Sequence, residues 1–311
     1  MPESRMPESR MSKSGMWEQI TANIRQVTGQ DFQGNHRRPV GGGSINQAYA
    51  LSDRDSDRDR QAASTLAYFV KINQASRIAM FEAEALALSQ IAATKSICVP
   101  HTVCWGMVDS SAYIVLEWLD FGYGDHQAWE EMGRNLAALH RVTHPQGFGW
   151  AQNNTIGSTP QINLWKTSWL EFFAEHRLGY QLQLAHRKGG RFPQERKLLA
   201  ALPEILAGHE PQPSLVHGDL WSGNASVTQQ GEAVIFDPAA YFGDREVDIA
   251  MTQLFGSFPA SFYSAYNEAF PLPSGYPQRQ ILYNLYHVLN HFNLFGGSYE
   301  SQANQMIESL L

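Results

Sequence analysis

The residues in this chain best suited to chemistry lie in one stretch, 215–250, which reads LVHGDLWSGNASVTQQGEAVIFDPAAYFGDREVDIA. Ala225-Ser-Val227 and the run 233–236 are short and apolar, with Gln229-Gln-Gly231 between them, so the pattern predicts a hairpin. Such a hairpin would gather Asp219, Asn224 and Asp237 at one end. Three converging oxygen donors suit magnesium, which takes hard oxygen ligands and keeps several waters. One carboxylate and one amide suffice when nucleotide phosphates supply the rest. The remaining carboxylate can then orient a hydroxyl and accept its proton. The plain alternative is a surface hairpin with an Asx turn, but the number of fixed offsets involved weighs against it.

The offsets are those of phosphoryl transfer. His217-x-Asp219-x-x-x-x-Asn224 has the spacing of a kinase catalytic loop, with the aspartate as base and the asparagine on metal. His217 would serve as structural support. Phe236-Asp237-Pro238 stands where a protein kinase carries its metal-binding Asp-Phe-Gly. Asp248 opens a further helix and either caps it or braces the catalytic loop through backbone amides. Asp219 takes its proton late in such a reaction, so its pKa need not approach neutrality.

Earlier segments would have to supply the phosphate and adenine sites. Gly41-Gly42-Gly43-Ser44 reads as a turn between two strands, where the lack of Cβ atoms lets amides approach phosphate oxygens. No Gly-Lys-Ser/Thr follows, so it is not a Walker loop. Lys71, in the apolar strand 66–73, either snorkels at an edge or pairs with phosphates as in a kinase third strand. Residues 76–93 have helical periodicity, and Glu84 shares the inward face with Leu88 and Ile91. Glu84 rather than Glu82 is therefore expected to hold Lys71; both could instead be simple helix-start carboxylates. Strands are expected at 97–105 and 113–119. The second ends where a hinge would lie, with the backbone of Glu117 and Leu119 facing an adenine edge.

The remainder reads as mainly helical: 16–28 ahead of the strands, with Trp17, Ile20, Ile24 and Val27 on one face, then 127–141, 165–184, 197–206 and 281–295. Residues 147–159 read as a long loop. Glu175-His176-Arg177 reads equally as a pocket border or a solvated helix end, and 187–191 as an exposed basic turn. His287 and His291 are spaced i, i+4, but no third metal ligand is evident, so they read as core or pocket-wall residues. The fold class is α+β: a two-lobed kinase-like fold with a small antiparallel sheet and one helix in the N-lobe (15–119) and a larger helical C-lobe (120–311). Residues 1–14, with MPESR repeated, are expected to be a disordered extension.

Composition narrows the partners. The chain has 311 residues, a net charge of −7 and no basic stripe, so no nucleic-acid partner is expected. No run of 18 apolar residues or apolar leader exists, so neither a membrane span nor a signal segment is expected. Cys98 and Cys104 are too few for a disulfide framework or a zinc site and read as reduced buried thiols. These features suggest a cytoplasmic enzyme, monomeric or weakly dimeric.

The segments GGGSINQAY, YFVKIN, FEAEALAL, VLEWLD, FGWAQNNTIGSTPQ, WLEFFAEHRL, LVHGDLWSGNA, IFDPAAYFGDREVDIAMT and YHVLNHFNLFGG, spanning residues 41–297, resemble the fructosamine-3-kinase family of the protein-kinase-like superfold. The resemblance implies ATP and Mg2+, Asp219 as base, Asn224 and Asp237 on magnesium, and Lys71 with its glutamate on ATP phosphates. It implies Trp221 as a wall of a sugar-amine pocket, and phosphorylation of a ketoamine, free or protein-bound, at its 3-hydroxyl, which leads to deglycation. A kinase for another small alcohol, such as an aminoglycoside or choline, is the alternative. Some family members carry a cysteine in the glycine loop; Ser44 stands here, which puts that thiol switch in doubt.

Overall fold

A computed structural model describes residues 13–41, 45–53 and 66–311. Gly42, Gly43 and Ser44 of the expected phosphate loop fall outside the described residues, as do residues 1–12 and the charge-alternating stretch after Asp53. The chain divides into two compact units, 1–85 with 101–118, and 86–100 with 119–311.

The first unit holds α1 (Lys13–Thr28), β1 (His36–Val40), β2 (Gln47–Ser52), β3 (Ala67–Gln74), the start of α2 (Ile78–Thr94), β4 (Thr102–Val108) and β5 (Ser111–Glu117). The strands form one antiparallel sheet in the order β1-β2-β3-β5-β4. Alternation along β3 sends Tyr68, Val70 and Ile72 into a core with Trp17, Ile20 and Ile24 of α1. Lys71 therefore points to the opposite face. Val27, assigned by spacing to the buried face of α1, is exposed because the core ends before it. The expected strand from 97 begins only at Thr102; Cys98 instead forms an isolated parallel bridge with Val234 within the second unit.

The second unit takes the rest of α2, then α3 (His126–Leu139), a hairpin of β6 (Asn154–Ile156) and β7 (Thr159–Gln161), α4 (Trp169–Phe173), α5 (Tyr180–Arg187) and α6 (Glu195–Ile205). β8 (Ser214–Val216), β9 (Ala225–Val227), β10 (Ala233–Ile235), β11 (Tyr241–Gly243), α7 (Glu246–Met251), α8 (Ala260–Ala269), α9 (Tyr276–Phe295) and α10 (Tyr299–Ser309) follow. The 147–159 stretch is thus not all loop. Helices α4 and α5 are joined without a break by a widened turn, Ala174–Gly179, of π type. α3 crosses α8 at Gly133, where a Cβ would meet the Phe262 carbonyl oxygen at 2.4 Å, so only glycine permits that approach. α9 runs through the interior with most of its side chains buried.

Candidate active site

β9 and β10 form the expected hairpin, Ala225 pairing with Ile235. The strand before His217 does not join it; β8 pairs with β11, Val216 opposite Tyr241. The two ladders thus present His217–Asn224 and Phe236–Ala240 side by side. The segments interlock at Gly218, whose φ is +81° and whose Cβ would strike the Ala239 carbonyl oxygen at 2.3 Å. Ala239 N–H donates to the His217 carbonyl at 2.9 Å.

The floor of the loop is set by Asp248, at the start of α7 and fully buried. Its carboxylate accepts the His217 amide at 2.7 Å and the Gly218 amide at 2.8 Å. His140 Nε2 lies 3.0 Å from the same carboxylate, and His140 Nδ1 lies 2.8 Å from the Tyr266 hydroxyl. Burial pushes the Asp248 pKa up, but the His140 hydrogen bond, the neighbouring histidines and the Gly218 amide outweigh it, holding the carboxyl below its usual range. His217 is buried and its pKa is lowered, chiefly by desolvation. Its partners assign the neutral tautomer: Nε2 donates to the Phe236 carbonyl at 2.9 Å, while Nδ1 accepts the Asp219 amide at 3.3 Å. One ring thereby ties the Asp219 backbone to the segment carrying Asp237.

The mouth differs. Asp219 is half-buried, Asn224 buried and Asp237 exposed. Asn224 Nδ2 donates to the Asp219 carbonyl at 2.8 Å and to its carboxylate at 3.3 Å, which turns the amide oxygen away from Asp219. Asp237 sits at φ +59°, a conformation uncommon for a non-glycine residue that marks sites where placement outweighs backbone preference. The Asp219 carboxyl is pushed up to about 7, first by desolvation and then by the charge of Asp237, with Asn224 partly opposing. The mechanism does not require a pKa near neutrality; burial and the neighbouring carboxylate bring it there in the protein alone. Two carboxylates and an amide oxygen form a hard-donor set that fits magnesium. The Trp221 indole lies over Gly223, where a Cβ would meet its ring atoms at 2.3 Å.

In the first unit, Lys71 is 5 % exposed and its Nζ lies 2.7 Å from Glu84 Oε1. Glu84 is the partner that helix phase selects. Asn73, two residues on, donates to the Ile45 carbonyl at 3.2 Å and to Asn46 at 2.7 Å, anchoring the residues that lead into β2. Glu117 is pinned to His101 twice, amide to carbonyl at 2.9 Å and carboxylate from amide at 2.7 Å, so only its carbonyl could face an adenine. Leu119 lies in the irregular segment after β5, two residues past Glu117.

Several residues that support the site carry no local signal. Gln161 accepts from the Tyr286 hydroxyl at 2.6 Å and donates to Asn154 and to the Ala239 carbonyl, and Asn154 donates to the Ala240 carbonyl. The β6–β7 hairpin thus holds the backbone just past Asp237. Arg177 is completely buried, donates to the Ile162 carbonyl and Asn163, and lies 4.0 Å over the Tyr241 ring. The Glu175–Arg177 cluster is accordingly no solvated helix end: the widened turn carries His176 and Arg177 inward and leaves Glu175 with Lys166 outside. Asp244, Arg245 and Glu246 are buried too, Glu246 paired bidentately with Arg279 at 2.7 and 2.8 Å. His209, Asp244 and Glu246 lie close enough to suit a cation, but Arg279 already supplies that charge. Such partners lie up to a hundred or more positions away in sequence, and the paired N–N and Q–N residues of 153–163 were the only hint.

Comparison with known proteins places these residues in context. The profile of the fructosamine kinase family matches residues 16–311. A Synechocystis protein named a probable ketoamine kinase is 53% identical over 295 residues, covering 95% of this chain and 97% of its own. A chloroplastic protein-ribulosamine 3-kinase of Arabidopsis thaliana is 42% identical over 277 residues, covering 88% and 81%. A crystal structure from Haemophilus somnus, named as a fructosamine-3-kinase, superposes with a TM-score of 0.87 at 32% identity, over 96% of this chain and 98% of that one. A Streptococcus pneumoniae choline kinase shares the fold alone, with a TM-score of 0.58 at 13% identity.

Proposed function

The chain belongs to the fructosamine kinase family, and from that premise we propose that it is an ATP-dependent phosphotransferase acting on ketoamines, sugars joined to an amine such as fructosamine or ribulosamine. The observation that carries this reading is the catalytic loop itself: Asp219 held at the end of a loop whose two preceding amides are clamped by Asp248.

In the proposed reaction the 3-hydroxyl oxygen of the sugar attacks the γ-phosphorus of ATP. The bond from that phosphorus to the β–γ bridging oxygen breaks, ADP departs and the hydroxyl proton passes to Asp219. Asn224 and Asp237 are the residues that would hold magnesium, which supplies positive charge for the phosphates when bound. Lys71, fixed by Glu84, would neutralise phosphate oxygens. The Glu117 carbonyl and Leu119 amide would meet the adenine edge, and Gly42, Gly43 and Ser44 the phosphates. Trp221 would wall the sugar. Burial and the charge of Asp237 raise the Asp219 carboxyl, and cationic charge held by Asn224 and Asp237 would lower it again. Phosphate placed next to the ketoamine carbonyl is a good leaving group, and its elimination would free the amine. Two free thiols fit a reducing, cytoplasmic setting. No helix among the described residues is long and apolar enough to cross a membrane.

The test is phosphate incorporation into fructosyl- and ribulosyl-lysine beside kanamycin and choline, with the product position mapped by NMR. Phosphate on the ketoamine 3-oxygen is expected. Incorporation only into an aminoglycoside or choline would replace this reading with the other small-alcohol kinase.

A further inference from the structure

Arg245, just before α7, and Asp248, three residues on, carry opposite charges and are joined through side chains from two other helices. Arg245 Nη1 donates to the Tyr266 hydroxyl of α8 at 2.9 Å. That hydroxyl lies 2.8 Å from Nδ1 of His140, the residue that ends α3, and His140 Nε2 lies 3.0 Å from Asp248 Oδ2. Tyr266 is 1% exposed and His140 fully buried, so each polar hydrogen here has to find a partner. The crossing of α3 and α8 sets their spacing: a Cβ on Gly133 would also meet the Tyr266 amide nitrogen at 2.9 Å, and His140 follows on α3 two turns later.

The identity of the donors gives this chain one direction. A guanidinium only donates, so the Tyr266 oxygen accepts from Arg245. Its own hydrogen is left for His140 Nδ1, its other partner among the described residues. Burial raises the pKa of the hydroxyl, with Arg245 partly opposing, so that hydrogen stays on the oxygen until it is shared with the ring. With Nδ1 an acceptor, the ring proton sits on Nε2 and points at Asp248. The other tautomer would set a bare nitrogen against a carboxylate. Asp248 Oδ2, which faces His140, also accepts the His217 amide, and Oδ1 accepts the Gly218 amide. The bonds therefore run head to tail from Arg245 to the carboxylate that receives the loop, and bonds in such series strengthen one another. The far end is fixed as well. Arg245 donates to the Phe270 and Pro271 carbonyls where α8 ends, and its guanidinium lies 3.7 Å over the Phe270 ring.

We propose that Tyr266 is a positioning residue for phosphoryl transfer: its hydroxyl, oriented by Arg245, fixes the His140 tautomer that holds Asp248 against the two amides preceding Asp219. The inference rests on the kinase reading, because the rate of that reaction is what it explains, and it adds two residues with no contact to Asp219 itself. Losing the hydroxyl loosens the loop that aims the base and leaves the groups assigned to ATP and sugar in place.

The experiment removes the hydroxyl and keeps the ring. Tyr266→Phe should lower kcat on fructosyl-lysine about tenfold, the worth of one hydrogen bond, with KM for ATP and for the ketoamine unchanged. Arg245→Lys, which can still donate to Tyr266, should keep most of kcat, whereas Arg245→Met should match Tyr266→Phe. Rates are read at a temperature where circular dichroism shows each variant fully folded, since a tyrosine that only stabilised the fold would lower the melting temperature and leave kcat of the folded protein as it was. In 15N NMR the wild-type His140 ring should carry its proton on Nε2, with Nδ1 at the shift of a hydrogen-bonded acceptor; in Tyr266→Phe, Nδ1 should move to the shift of a free one. Unchanged kcat in Tyr266→Phe, or a parallel rise in both KM values, would overturn the proposal and leave the kinase reading intact. A wild-type ring protonated on Nδ1 would overturn it whatever the acceptor substrate. Absence of ketoamine phosphorylation by the wild type would remove the kinase reading and this inference with it.

Discussion

Asp248 and Asp219 flank the same short loop, and their carboxyls are shifted in opposite directions. The more deeply buried one, Asp248, is held below its usual range; the half-buried one, Asp219, is pushed up to about 7. Burial alone would order them the other way. What separates them is the supply of donors. Asp248 receives two backbone amides and a histidine, whereas Asp219 has one weak amide contact and a neighbouring carboxylate, Asp237. The floor of the loop is electrostatically complete within the protein. The mouth sets two carboxylates beside each other, and the proposed magnesium would offset that charge.

Replacing the mouth carboxylate gives the largest expected change. Asp219→Asn removes the base and should lower kcat about 10^2- to 10^4-fold while ATP affinity, measured by calorimetry, stays within a few-fold. Undiminished turnover would exclude Asp219 from proton transfer. The same variant tests the shift itself. The folded pKa, about 7, lies above the ordinary 3.8, so the neutral carboxyl's contribution to stability is full below about pH 3.8 and is lost as pH rises through 7. Asparagine stays neutral throughout. In metal-free buffer at pH 8 the variant should therefore melt above the wild type, and the gap should close toward pH 4. A gap independent of pH would contradict the shift.

The floor should respond in stability as well as rate. Asp248→Asn replaces one acceptor oxygen with an N–H2 facing an amide and leaves His140 without its carboxylate. A loss of about 3–5 kcal/mol in urea unfolding is expected, the range for breaking a buried pair. A variant as stable as wild type would show that the loop does not depend on this clamp. Asp237→Ala should act at the mouth again. Magnesium-ATP affinity should weaken about 10- to 100-fold, as for one lost charge-assisted ligand. Unchanged nucleotide affinity would argue against a metal role.

The contrast also explains what could be read from the sequence. His217, Asp219, Asn224 and Asp237 lie within one short stretch that flanks the β9–β10 hairpin, so their offsets are local geometry and their convergence is legible. The Glu84 partner of Lys71 follows from helix phase. The opposite electrostatics of Asp248 and Asp219 were not legible, because they depend on His140, 108 residues before Asp248, and on how the Asp237 backbone is turned. The same holds for Asn154, Gln161 and Arg177, whose burial depends on a widened turn and on contacts with residues about 80 to 125 positions away. Helices α8 and α10 went unread because both are short and their apolar positions are interrupted by polar ones. The pairing of β8 with β11 escaped because three-residue strands carry too little pattern to name a partner.

The smallest expected effect sharpens the boundary between floor and mouth. Gly223 has no left-handed φ, so alanine is tolerated by its backbone. The obstacle is Trp221, whose ring atoms would lie 2.3 Å from the new Cβ. Gly223→Ala must therefore displace the indole while leaving the Asp248 clamp, several residues earlier in the loop, untouched. If Trp221 walls the sugar, KM for a ketoamine should rise about three- to tenfold, the worth of one or two apolar groups no longer covered. KM for ATP and the melting temperature should not change. A rise in KM for both substrates, or a fall in stability, would mean that Trp221 holds the loop together rather than receiving a ligand, and the division into a self-sufficient floor and a ligand-dependent mouth would have to be redrawn with the tryptophan on the side of the floor.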